Sequence, residues 1–220
     1  YILNDKIQLY GDLQVRNVNY KTSGIASNLA TFTVDENYTF FNPKAGLTYE
    51  FNSQNDLYFS YARANREPTR DDFENNENVK PEQLNDFELG WRHKKGNFSF
   101  NANGYLMLYN EQLVLSGEIN DVGAPLRTNS GDSYRLGLEL EAVIPVTSQL
   151  TLQPNLAVSS NKNSETVRSF DGELQNLGAT DIAFSPNLVA ANAVVYQPLK
   201  NLQISLLSKF VGEQFMSNTE

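Results

Sequence analysis

Apolar side chains return on every second position in stretch after stretch of this chain, and the connections between stretches strictly alternate between tight polar turns and long polar loops. The tight turns fall at Asn4-Asp5-Lys6, Asn52-Ser53-Gln54-Asn55, Lys95-Gly96-Asn97, Thr147-Ser148-Gln149 and Leu199-Lys200-Asn201. A period of two is the signature of a strand with two unlike faces. Hairpins that turn tightly at one end and loosely at the other are how a transmembrane β-barrel is strung, with short periplasmic turns and long external loops. The expected fold is therefore all-β, an antiparallel meander.

About nine strands are expected, over 7–20, 38–51, 56–65, 84–95, 97–115, 133–146, 149–162, 182–197 and 201–215. In the first, Ile7, Leu9, Gly11, Leu13 and Val15 share a face opposite Gln8, Tyr10, Asp12, Gln14 and Arg16. In 133–146, Leu136, Leu138, Leu140, Ala142 and Ile144 alternate with Gly137, Glu139, Glu141 and Val143. Two stretches blur. Val189, Ala191, Ala193 and Val195 oppose Leu188, Val194 and Tyr196, and Tyr105, Met107 and Tyr109 sit on the otherwise polar face of 97–115. Pro43, Pro154 and Pro186 fall inside expected strands, where the missing N–H calls for a bulge or a strand end. A single turn of helix is expected within 67–76.

Composition agrees with a barrel. Hydrophobic residues make up 40% and mean hydropathy is -0.45. A spanning strand needs only about five outward apolar side chains, so a barrel looks average in bulk. No stretch reaches the ~20 apolar residues of a membrane helix. A net charge of -9 with no basic stripe speaks against nucleic acid as a partner. With no Cys, disulfides and thiolate chemistry are excluded together.

A soluble β-sandwich shares the alternation. Against it stand strands of about 10 to 16 residues, longer than the five or six usual in soluble sheets. The strict alternation of loop lengths and aromatics near strand ends, such as Tyr49, Phe51, Phe59 and Trp91, also favour the barrel. The ~50-residue spacing of tight turns resembles a propeller repeat, but each period holds two strands where a blade needs four.

A family resemblance emerges in the middle of the first half. Asn42-Pro43-Lys44-Ala45-Gly46-Leu47-Thr48-Tyr49 is followed by Ser60-Tyr61-Ala62-Arg63-Ala64-Asn65-Arg66-Glu67-Pro68-Thr69, then by Lys80-Pro81-Glu82-Gln83-Leu84-Asn85-Asp86-Phe87-Glu88-Leu89-Gly90. In this order and spacing the three segments resemble the barrel of TonB-dependent outer-membrane receptors. The resemblance implies a barrel of about 22 strands closed by an internal plug, of which residues 1–220 would be a part lacking the plug and the terminal strand. It also implies uptake of a scarce nutrient such as a ferric siderophore, haem, cobalamin or a glycan, driven by a periplasmic TonB-type coupling protein acting on the plug. The implied location is the outer membrane, with its lipid as a further partner. A soluble all-β domain binding carbohydrate or another ligand is the alternative, and a non-transporting adhesin or structural pore a third.

No catalytic constellation is present, so no enzymatic activity is expected. The lone His93 sits beside Trp91, Arg92, Lys94 and Lys95 at a tight turn, far from any activated serine pattern. One His and no Cys cannot build an ordinary zinc site, and no cofactor is expected. The run from Asp71 to Asn78 offers oxygens to a cation but lacks EF-hand spacing and reads as a solvated acidic loop. Ligand contacts are expected in the long loops 21–37, 66–83, 116–132 and 163–181. Arg63, Arg66 and Arg70 are the candidates, since guanidinium forks suit carboxylate or catecholate oxygens. The competing role for them is pairing with Glu67, Asp71, Asp72 and Glu74 to stiffen a loop. Loop 116–132, with Gly117, Gly123, Pro125, Asn129 and Gly131, has turn chemistry and little charge.

If Leu138 faces lipid at mid-bilayer, Leu138→Arg costs ~2–4 kcal/mol in a denaturant titration of the complete protein in vesicles, while Glu139→Arg on the opposite face is tolerated. Equal costs at the two positions would rule out the membrane assignment.

Overall fold

The computed structural model describes residues 1–25, 31–75, 78–119, 123, 125–129, 131–170 and 173–218. In chain order the elements are β1 (Ile2–Asn4), β2 (Ile7–Ile25), β3 (Thr31–Asn52), β4 (Asn55–Arg66), α1 (Arg70–Asn75), β5 (Glu82–Lys95), β6 (Phe98–Asn110), β7 (Leu113–Ile119), β8 (Pro125–Asn129), β9 (Ser133–Pro145), β10 (Leu150–Phe170), β11 (Glu173–Asp181), β12 (Leu188–Leu199) and β13 (Leu202–Val211). One antiparallel sheet runs in the order β1-β2-β3-β4-β5-β6-β9-β10-β12-β13. β11 pairs with the end of β10 remote from the short turns, and β7 with β8 forms a separate hairpin.

All five tight turns are present. Asn4 Oδ1 accepts from the Lys6 and Ile7 amides at 2.9 Å each, and Thr147 Oγ1 accepts from the Gln149 and Leu150 amides. These are side-chain-closed turns, which is why Asn and Thr stand there. Gly96 takes φ +59° in the third turn, a conformation that suits glycine.

Register carries each face across the whole sheet. Leu9, Leu47, Phe59, Leu89, Gly104, Leu138, Val158 and Leu188 lie opposite one another on successive strands, so one level of the outer face is apolar across eight strands. The next position along each strand gives Thr48, Tyr58, Gly90, Asn103, Glu139 and Ala157 on the inner face. Among the described residues no second sheet covers the outer row. Leu138 is 46% exposed and Leu89 59%, whereas the buried large apolar side chains among the described residues, such as Phe32, Phe40, Phe73, Val79 and Leu113, gather at the end of the long loops. The distribution is inside out for a water-soluble sheet; lipid is the solvent that covers such a face.

Several boundaries differ from those expected. Loops 21–37 and 163–181 are largely strand. β2 and β3 pair from Ile7↔Tyr49 up to Ile25↔Thr31, and β10 pairs with β11 up to Phe170↔Glu173. Partner strands that supply hydrogen bonds outweigh the polar side chains that suggested loops. The strand expected over 97–115 breaks after Asn110, where Glu111 takes φ 53° and redirects the chain into β7. β12 begins only at Leu188, which leaves Pro186 outside any strand, and β13 ends at Val211. The expected bulges at Pro43 and Pro154 do not occur. Pro43 keeps register with Leu13 while the β3–β4 ladder stops beside it at Lys44↔Ala62, and Pro154 keeps register with Asn192 while its pairing with β9 is interrupted. Losing pairing on one side suffices for a residue without an N–H. The helical turn expected within 67–76 is α1.

Two inner-face tyrosines lie flat over glycines on the neighbouring strand. A Cβ on Gly90 would come within 2.1 Å of the Tyr58 ring, and one on Gly137 within 2.5 Å of the Tyr105 ring. Each pair is directly cross-strand. The absent side chain is what lets the ring rest on the sheet, covering backbone that glycine leaves bare. Gly90→Ala and Gly137→Ala each displace a ring and cost about 1 kcal/mol, the scale of a cross-strand aromatic pair. Gly104→Ala, whose added Cβ would meet only ordinary contacts, stays neutral. Denaturant midpoints of the single variants and of the Tyr105→Ala/Gly137→Ala double variant check this, since the paired changes fall short of additivity.

Candidate ligand site at the outer mouth

A membrane-spanning strand uses about 9–11 residues. β2 has 19 and β3 has 22, so this ribbon rises well beyond the bilayer on the side of the long loops. Its inner face changes character as it rises. Above the polar Gln14↔Asn42 pair come Arg16↔Phe40, Val18↔Tyr38, Tyr20↔Glu36, Thr22↔Val34 and Gly24↔Phe32. This is an aromatic wall in water, and it requires cover.

Pro68, Phe73 and Val79 supply the cover. Pro68 is fully buried, and Phe73 stacks on Tyr20 with ring centroids 5.8 Å apart. Phe73, Val79 and Leu113 form a small core against Tyr20, Val34 and Tyr38. α1 is started by Thr69, whose amide and hydroxyl both donate to Asp72 Oδ2, at 2.8 and 2.7 Å. Asp72 is only 3% exposed, so at this position the acidic run departs from a solvated loop, its carboxylate capping the helix. The side chain of Glu74 and residues 76–77 lie outside the described residues.

Arg16 ties this segment to the ribbon. Its Nη1 and Nη2 donate to the two Glu67 carboxylate oxygens at 3.1 and 2.5 Å, and Nη2 also donates to the Asn65 carbonyl at 3.0 Å. The guanidinium lies 5.1 Å from the Phe40 ring centroid. The pair is bidentate and half-buried, which is stronger than the usual exposed ion pair. Burial alone would push the Glu67 carboxyl up; the hydrogen bonds from Arg16 and from its own backbone, with the charges of Arg16 and Arg66, outweigh it and hold the carboxyl below its ordinary value.

The three arginines singled out from sequence line one cavity of about 650 Å³, together with Gln14, Arg16, Tyr20, Lys44 and Glu67. For Arg63 and Arg66 the partners come from β5 and not from the acidic run. Arg63 donates to Gln83, Arg66 pairs with Glu82 at 3.3 Å, and Arg70 lies 5.3 Å over the Phe32 ring. The contributions of Arg16 and Lys44 escaped the sequence analysis. Both are inner-face residues of strands that contact segment 66–70 only in the fold, and their alternation with Val15 and Pro43 was the available signal. Five cationic side chains against one carboxylate make a mouth suited to an anionic ligand.

Loop 116–132 folds as the β7–β8 hairpin and joins the same assembly. Asn129 accepts from the Lys80 amide at 2.9 Å and donates to the Lys80 carbonyl at 3.0 Å, while Lys80 Nζ pairs with Glu111 at 2.6 Å. Residues 120–122, 124 and 130 of that loop lie outside the described residues. His93 is remote from all of this. At the short-turn end its Nδ1 lies 2.8 Å from Asn55 Oδ1, which also accepts from Trp91 Nε1. Its surroundings are those of an interfacial aromatic belt.

The family profile described as TonB dependent receptor-like, beta-barrel matches residues 3–219, and the chain belongs to that family, whose barrels sit in the outer membrane of Gram-negative bacteria. No curated protein shows significant similarity to the sequence. Among solved structures, the siderophore receptor PiuA from Acinetobacter baumannii superposes with TM-score 0.71 at 18% identity, over 95% of this chain and 31% of that one. The copper transporter OprC gives 0.75 at 18% identity over 98% and 35%, and the ferric yersiniabactin uptake receptor FyuA from Yersinia pestis 0.72 at 15% over 99% and 33%. The chain spans about a third of the length of these receptors.

A carboxyl held down by its partners contributes stability above its unfolded pKa and loses that contribution as pH falls through the folded one. Protection of segment 66–75 from proteolysis should therefore decline below about pH 4.3, the unperturbed Glu value. In Glu67→Gln the protection is weaker at neutral pH and lacks this acid limb.

Proposed function

We propose that the chain is part of the barrel domain of a receptor that takes up a scarce nutrient across the outer membrane, the nutrient being a ferric siderophore or a similar anionic chelate. The observation that supports this most is the outer-mouth cavity, where Arg16, Lys44, Arg63, Arg66 and Arg70 surround a single carboxylate and Tyr20 and Phe40 stand behind them. Guanidinium forks match catecholate and carboxylate oxygens, and the aromatic wall suits the flat rings that carry such oxygens. Solved relatives in this fold are called a siderophore receptor, a ferric yersiniabactin uptake receptor and a copper transporter, so chelated or free metal is the cargo they share.

In this proposal the arginines discriminate by charge, Arg63, Arg66 and Arg70 being the ligand contacts. The energy for transport comes from a TonB-type coupling protein acting on a plug domain within the barrel. Lipid covers the outer face, no nucleic acid is involved, and no catalytic step is assigned to the chain.

The test is uptake of radiolabelled iron, presented as a ferric catecholate, by iron-starved cells that carry the complete receptor. Arg16→Ala and an Arg66→Ala/Arg70→Ala double variant lower binding about tenfold or more, the scale of one or two charged hydrogen bonds. Uptake that is the same with the receptor deleted overturns the proposal, as does uptake of free copper alone.

A further inference from the structure

The β7–β8 hairpin leaves the wall and returns to it through two left-handed residues. Glu111, with φ 53°, turns the chain out of β6, and Gly131, with φ 72°, leads it back to β9. The Gln112 amide donates to the Gly131 carbonyl at 3.1 Å and closes the neck between them. Hinges are a few element-terminal residues of this kind, so the hairpin takes its position from the groups that hold it. Asn129, at the end of β8, is bonded to the Lys80 backbone. Leu113, the first residue of β7, is held by a carboxylate, its amide donating to Glu82 Oε2 at 2.9 Å.

The same oxygen accepts from Arg66 Nη2 at 3.3 Å. Arg66 is the last residue of β4 and Glu82 the first of β5, so one carboxylate atom at the long-loop end of the sheet joins the cationic mouth to the start of the hairpin. Arg66 is half exposed, and its pair with Glu82 is longer than the bidentate Arg16–Glu67 pair, which closes to 2.5 Å in the same mouth. Of these two guanidiniums, Arg66 is therefore the one that an anion draws off. Glu82 is only 15% exposed, and a carboxylate so placed that loses its cation must turn toward water or another donor. The Leu113 side chain sits in the core with Phe73 and Val79 against Tyr20, which itself lines the mouth. A change at Leu113 reaches the mouth by that second route as well.

We propose that Glu82 is a positioning residue that couples occupation of the mouth to the β7–β8 hairpin. An anion bound by Arg66 takes the guanidinium from Glu82; the carboxylate then turns away from the Leu113 amide and frees the start of β7. The inference rests on the reading of the mouth as the site of an anionic ligand, and it adds the element that responds to that ligand. Coupling of this kind is reciprocal, so whatever weakens the Arg66–Glu82 pair tightens the hold on the anion.

The experiment follows amide hydrogen exchange by mass spectrometry in the complete receptor purified in detergent, with and without a ferric tris-catecholate, and measures the affinity for that chelate alongside. In wild type the chelate speeds exchange in peptides spanning 111–115 about tenfold, the scale of one charged hydrogen bond, and leaves a peptide across the β5–β6 turn unchanged. Glu82→Gln keeps an acceptor for the Leu113 amide but offers Arg66 no charge. In that variant exchange at 111–115 no longer responds to the chelate, and the chelate binds severalfold tighter, which a role confined to bracing the fold would not produce. Glu82→Ala exchanges fast at 111–115 with or without chelate; should it not fold, the glutamine variant decides. Chelate binding that leaves wild-type exchange at 111–115 unchanged, or a folded Glu82→Gln that binds no tighter, overturns the coupling while the mouth stands as a ligand site. A wild type that binds no chelate overturns the reading of the mouth and the coupling with it.

Discussion

In hydrocarbon no water is available to a peptide group, so every backbone N–H and C=O of a spanning segment must find its partner within the protein. The rest of this structure follows from that requirement. Successive strands pair in continuous register, which fixes alternate side chains to lipid and to lumen over the whole sheet. The same condition explains the prolines. Pro43 and Pro154 remain in line because each keeps pairing with one neighbour and gives it up with the other. It also explains the two tyrosine-covered glycines, since a ring lying on bare backbone shields the ladder bonds on the wet side of the wall.

Above the bilayer the constraint relaxes, and burial again means burial from water. The tall β2–β3 ribbon is the turning point. Its inner face is aromatic where it leaves the membrane, and the conventional core of the molecule forms there, from Phe73, Val79 and Leu113 packed on Tyr20, Val34 and Tyr38. Two loops far apart in sequence are thereby tied to one wall, by the Arg16–Glu67 pair on one side and by Asn129 bonded to the Lys80 backbone on the other. The mouth's geometry is thus a property of the ribbon.

Along the lumen the sign of the charge changes with depth. Cationic side chains surround the outer cavity, while Glu88 and Glu139 lie on the inner wall near Phe184. A net charge of -9 for the whole chain hides this order entirely.

The alternation of Leu136, Leu138 and Leu140 with Gly137, Glu139 and Glu141, together with the five short turns, determined the order and direction of the nine long strands and which side chains share a face, because a one-residue slip would carry every side chain to the other face; β1, β7, β8 and β11 were not expected. The family, too, was legible in the three motifs around Pro43, Arg66 and Pro81. Where strands end was not, because polar residues such as those of 21–25 and 163–170 become strand only when a neighbour offers hydrogen bonds. Arg63, Arg66 and Arg70 could be chosen from their place near a strand end. Their partners, and the addition of Arg16 and Lys44, depended on which inner faces the long loops fold against. Residues 183–187 lie in a stretch expected as strand, and tertiary bonds from Arg135 to Ser185, from Ser159 to Pro186 and from the Phe184 amide to Phe215 hold them outside the ladder. Sequence settles what a side chain prefers to face; distant segments meeting in space settle what it touches.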